Sequence, residues 1–115
     1  MTFSVAGKGN CAVIAGVSYV YVTVRGTGFV MRAQCPHRGG PLHLASVTPD
    51  ATRLVCPWHC GKISVARLRG EIPAVRVGDR VTAVFRDLPE RTEASLEHRP
   101  LSPDLAGAAD ATKST

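Results

Sequence analysis

Two short segments, Cys35-Pro36-His37 and Cys56-Pro57-Trp58-His59, each join a cysteine to a histidine, and 18 residues (Arg38 to Val55) separate them. Such a set constrains the fold because two thiolates and two imidazoles must converge from separate loops on one stiff frame. Pro36 and Pro57 fix φ directly after each cysteine, while Gly39, Gly40 and Gly61 let the backbone pass close to a compact inorganic core. Two loops of one sheet are expected to grip a metal centre from opposite sides. The candidate ligands are Cys35, His37, Cys56 and His59.

The frame reads as β-sheet. Valine alternates through Ser18–Val24, putting Val20, Val22 and Val24 on one face and Tyr19, Tyr21 and Thr23 on the other. A turn at Gly26-Thr27-Gly28 and a second strand through Phe29-Val30-Met31 complete a predicted hairpin. Residues 74–77 and 80–85 flank Gly78-Asp79, a dipeptide suited to a two-residue hairpin turn. Shorter strands are expected at Arg53–Val55 and Lys62–Val65. With no long helical period before residue 86, the chain is expected to be an antiparallel all-β domain.

At 115 residues, a single domain with a modest core fits, and only six aromatics contribute to it. No apolar run approaches the roughly 20 residues of a membrane-spanning helix, and no leader peptide is evident, so a soluble, unexported, cytoplasmic protein is expected. From Arg86 the composition shifts. Pro89, Pro100 and Pro103 interrupt it, and Leu96 stands nearly alone among charged residues. We read residues 1–86 as the domain and 87–115 as a mobile tail in which 90–98 has room for a helical turn or two.

A Cys2His2 set also suits structural zinc. Zinc fingers, however, usually pair cysteine with cysteine and histidine with histidine, whereas each loop here supplies one of each. One cysteine and one histidine per loop match a [2Fe–2S] cluster in which two histidines replace two cysteines on one iron. Cys35 and Cys56 are then assigned to one iron, His37 and His59 to the other. Cys11 reads as a small core residue in a strand, and Cys60, next to His59, as a packing residue or a spare thiol. His43 and His98 read as surface histidines.

At these residues the chain resembles the Rieske ferredoxin family, small [2Fe–2S] carriers that feed electrons to bacterial oxygenases. The resemblance covers roughly residues 2–86 and rests on Cys35-Pro36-His37-Arg38-Gly39-Gly40-Pro41-Leu42 and Cys56-Pro57-Trp58-His59-Cys60-Gly61-Lys62. It implies a three-layered antiparallel β fold with a cluster-binding subdomain at about 34–66, and the ligand roles given above. Rieske subunits of respiratory complexes carry an extra disulfide cysteine in each loop, and a serine and a tyrosine that donate hydrogen bonds near the cluster sulfurs. Here those positions hold Gly40 and Trp58, and Gly61 and Ile63, which implies a potential in the lower part of the Rieske range. The proline-rich covering loop of the family is reduced to Ala66–Pro73.

Charge suggests a partner. Residues 1–70 carry eight Lys/Arg against Asp50 alone, a net of +7, while residues 71–115 carry six against eight acids, a net of −2. Arg38, Arg53, Lys62, Arg67 and Arg69 lie in or near the loops and suit an acidic docking surface. Nucleic acid is disfavoured, since the arginines are scattered and few aromatics are available to stack on bases. The expectation is a one-electron carrier, not itself an enzyme, between a flavin-dependent reductase and an oxygenase, both implied by the resemblance. The alternatives are an iron–sulfur accessory or redox-sensing subunit, or a zinc module.

Overall fold

The alternating valines form the longest strand. In the computed structural model, which describes residues 1–35, 40–58, 61–85 and 92–106, β3 (Val17–Val24) buries Val20, Val22 and Val24 and leaves Tyr19, Tyr21 and Thr23 half-buried. Tight turns join it to β2 (Cys11–Ile14) and β4 (Thr27–Arg32). Both turns, Ala15-Gly16 and Arg25-Gly26, hold positive φ at both positions (52° and 82°, 48° and 81°), the geometry whose twist matches paired strands.

The second turn therefore comes earlier than Gly26-Thr27-Gly28, and Thr27 and Gly28 pair with Val24 and Thr23. Gly28 provides space rather than a bend. A Cβ there would fall 1.5 Å from the Tyr21 hydroxyl oxygen, so Tyr21 lies across the glycine. The Arg76 guanidinium sits 5.5 Å from the centre of that ring.

Among the described residues, three antiparallel sheets result. The central one runs β10-β2-β3-β4, with β10 at Ala94–Glu97. On one side lies a sheet of β1 (Thr2–Ser4), β9 (Arg80–Ala83) and β8 (Ala74–Val77), in the order β1-β9-β8. Gly78-Asp79 forms the expected turn, with Val77 opposite Arg80. The third sheet is β5 (Ser46–Val47), β6 (Arg53–Val55) and β7 (Lys62–Ser64). Alternate residues of the central sheet feed two cores: Val20, Val22, Val24, Phe29 and Met31 pack toward Leu42, Leu54 and Ile63, while Ala12, Ile14 and Val30 pack toward Phe3, Val81 and Ala83. A sheet apolar on both faces is a middle layer. The all-β class expected from the sequence is the fold the chain adopts.

Two segments differ from expectation. The predicted strand through Val65 stops at Ser64, whose Oγ accepts from the Arg67 N–H at 3.3 Å and caps α1 (Val65–Glu71). Val65 and Leu68, three residues apart, bury its inner face. It ends at Ile72, which is extended (φ −128°, ψ 108°) as a residue before proline prefers.

The expected mobile tail is the larger correction, because residues 92–106 are part of the fold. Strand β10 pairs with β2, Ala94 opposite Ile14 through Glu97 opposite Cys11, where a helical turn was expected. Buried Asn10 then exchanges two bonds with the Arg99 backbone, at 2.7 and 2.8 Å. The Ser102 hydroxyl donates to the Ala45 carbonyl, Asp104 accepts from the Val47 N–H at 2.9 Å, and the Leu105 carbonyl accepts from the Thr23 N–H at 2.9 Å. Leu105 is 0% exposed in the core beneath the third sheet. The rest of that predicted tail, 87–91 and 107–115, lies outside the described residues. No helix among the described residues is long and apolar enough to cross a membrane.

Candidate metal centre

The two cysteines open two loops of matched construction. Two residues past β4, Gln34 bridges to Pro41 and brackets residues 35–40. At the base of this loop the Cys35 N–H donates to the Gly40 carbonyl at 2.8 Å. In the β6–β7 hairpin, Val55 pairs with Lys62 and brackets residues 56–61, and the Cys56 N–H donates to the Gly61 carbonyl at 3.4 Å. Each loop is thus Cys-Pro-x-x-x-Gly, closed by a bond from its first residue to its last. The Cys-Pro pairs are plain in the sequence, whereas the glycines as closing residues are signalled there only by the repeated spacing.

The glycines serve for different reasons. Gly61 has φ +83° and open space where a Cβ would go, so its need is conformational. Gly40 faces the other loop: a Cβ there would lie 2.8 Å from Trp58 Cβ and 3.0 Å from both Trp58 Cγ and Cys56 Sγ. The loops therefore meet at the sulfur of Cys56. These are also the two positions at which the respiratory relatives are expected to carry a cross-loop disulfide, and here Gly40 against Trp58 makes that contact.

Cys35 and Cys56 are 2% and 3% exposed. Two buried sulfurs at the openings of abutting loops supply the soft donors an iron–sulfur cluster requires, and the close passage of Gly40 supplies the room. The described part of the candidate set fits such a group. His37 and His59, together with Cys60 and Arg38, lie outside the described residues, and among the described ones no cluster of three or more potential ligands forms.

The remaining candidates resolve differently. Cys11 is fully buried in the core as expected, and burial pushes its thiol pKa up, with a Ser18 hydrogen bond acting the other way. His98 is exposed as expected. His43 is half-buried, and its role differs from a surface histidine: Nδ1 donates to the Pro100 carbonyl at 2.7 Å, and its own carbonyl accepts from the Ser102 N–H at 3.0 Å. It lies in a 3-10 helix (Leu42–Leu44) directly after the first loop, so the C-terminal segment holds that loop's base.

Asp50 shapes the turn between β5 and β6. Oδ1 accepts from the Thr48 hydroxyl (2.7 Å), the Thr52 hydroxyl (2.8 Å) and the Thr52 N–H (3.1 Å). These bonds, the Thr48 hydroxyl first, bring its carboxyl pKa down from 3.8 to about 2. Around the loops Arg53, Lys62, Arg67 and Arg69 are all exposed, as is Trp58, at 57%.

A family model described as the Rieske [2Fe-2S] domain matches residues 4–84. A human protein described as "Rieske domain-containing protein" is 37% identical over 57 residues, covering 48% of this chain. The chain spans 36% of that relative's length. No solved structure matches.

Proposed function

From the premise that the chain belongs to the Rieske [2Fe-2S] family, we propose that it is a one-electron carrier whose cluster is held by Cys35, Cys56, His37 and His59. The observation that carries this reading is the pair of closed loops, with Gly40 packed against Cys56 Sγ and Trp58. When bound, a [2Fe–2S] cluster supplies reversible one-electron chemistry at a potential set by its ligands and surroundings.

The chain's own residues then do three things. Burial of Cys35 and Cys56 would keep water from the sulfurs, and His37 and His59 are the ligands assigned to the second iron. Gly61 and buried Ile63 offer no side-chain donor where the respiratory relatives are expected to have a serine and a tyrosine. The potential therefore falls in the lower part of the range of about −150 to +300 mV. The exposed cations around the loops attract an acidic redox partner, an oxygenase as acceptor and a flavin-dependent reductase as donor.

Visible absorption and low-temperature electron paramagnetic resonance, before and after dithionite, test the cofactor. A reduced signal with the low average g-value of mixed ligation is expected. His59→Cys should abolish that signature, either by leaving an all-cysteine cluster or by preventing assembly. A colourless protein containing zinc, or a His59→Cys variant with an unchanged signature, would refute the assignment. Reversible reduction by a flavin-dependent reductase tests the carrier role.

A further inference from the structure

On the flank of the second loop, between the end of β4, strand β7 and α1, lies a cleft of about 330 Å³. Three cations line it, Arg32, Lys62 and Arg67, against one acid, Glu71, for a net of 3 − 1 = +2. Leu42, Ile63 and Leu68 make up the apolar part of its wall. The cations are poorly neutralised. Arg67 and Glu71 approach only to 3.8 Å, with side chains 80% and 40% exposed, a long and solvated pair that contributes little. Among the described residues neither Arg32 nor Lys62 has an acidic partner. Like charges gathered around a concave site with too little counter-charge repel one another and raise the local concentration of anions.

We propose that this cleft binds a small organic dianion, a dicarboxylate or a phosphomonoester. The net charge of +2 matches a dianion. Two guanidinium groups present planar donor forks suited to carboxylate or phosphate oxygens, which a lysine alone does not. The apolar side chains accept the carbon stem, and the volume sits at the small end of ligand sites. Lys62 directly follows Gly61, which closes the second loop, so the ligand lies beside the metal centre without using its residues. The proposal does not rest on the electron-carrier reading.

Equilibrium dialysis of radiolabelled succinate, phenyl phosphate and inorganic phosphate against the purified full chain, with its metal centre intact and ionic strength fixed, provides the test. One saturable site for succinate or phenyl phosphate is expected, with inorganic phosphate weaker because it lacks a stem. Losing one charge-assisted contact should weaken binding about tenfold or more in Arg32→Gln and in Arg67→Gln. Glu71→Gln should tighten binding about threefold, since it removes the one opposing charge. Arg69→Gln, an exposed helix cation outside the cleft, should stay within about twofold. All four positions are exposed, so each variant should keep the fold. Absence of saturation up to about 50 mM, or equal losses in Arg69→Gln and Arg67→Gln, would overturn the site in favour of diffuse charge. A tetraglutamate peptide that outcompetes succinate with the same variant dependence would make the cleft a docking pocket for a protein side chain and overturn the small-molecule assignment.

Discussion

Replacing Gly40 by alanine adds one methyl where the two loops meet, and the structure sets what that methyl encounters. Its carbon would lie 2.8 Å from Trp58 Cβ and 3.0 Å from Cys56 Sγ, against an ordinary carbon contact of about 3.5 Å or more. Both atoms sit within one or two bonds of the backbone, so neither is relieved by a flexible side-chain end. The loops must separate. Overpacking of this kind costs about 1–3 kcal/mol, which for a domain of this size lowers Tm by roughly 4–12 °C. Because the displaced atom is a proposed ligand sulfur, cluster content should fall with it. Thermal unfolding of the loaded protein gives the first quantity, and visible absorption per mole of protein the second. Trp58→Ala in the Gly40→Ala background should restore only part of the loss, since it removes Cγ but leaves Cβ and the sulfur in place. An alanine variant with wild-type Tm and full cluster content would show that the loops do not touch as described.

Gly70 is the opposite case: it lies in α1 with nothing within 4 Å of a would-be Cβ, so Gly70→Ala should stabilise by about 1 kcal/mol in a denaturant melt. Leu105→Ala should cost about 2–5 kcal/mol in the same assay, because it empties a fully buried site; a loss under about 0.5 kcal/mol would mean that residues 92–106 do not seal the core. For Asp50 the folded pKa is the lower one, so its bonds stabilise the protein fully above the unfolded value near 3.8 and lose that contribution as pH falls toward about 2. Asp50→Ala should accordingly be less stable than wild type near neutrality, and the two melts should converge between pH about 4 and about 2.

What was legible in the sequence follows from how far each residue's reason is local. Val20, Val22 and Val24 declare their face because a strand alternates sides, and Gly78-Asp79 declares its turn because few dipeptides bend so tightly. The helix α1 is too short to show a period, with only Val65 and Leu68 turned inward. Gly28 looked like a turn residue, yet its reason lies across the strand pair in Tyr21, which no local window reveals. The segment 92–106 reads as mobile because Pro100 and Pro103 interrupt it and Leu96 stands nearly alone among charged residues. Its attachment comes from backbone pairing with β2 and from Asn10, Ala45 and Val47, all distant in the chain. The Cys-Pro pairs were readable, while the contact between Gly40 and Trp58 emerges only when the loops are brought together.

The twin closure of the loops bears on speed. Each is tied at its neck by a backbone bond from cysteine to glycine, and the two press on one another at Gly40 and Trp58. In a one-electron carrier the barrier to exchange depends on how far atoms must shift when the charge at the site changes. On the proposed reading, backbone held this way at Cys35, Gly40, Cys56 and Gly61 would have little freedom to relax between oxidation states, so less of each transfer would be spent rearranging the cysteine side of the site.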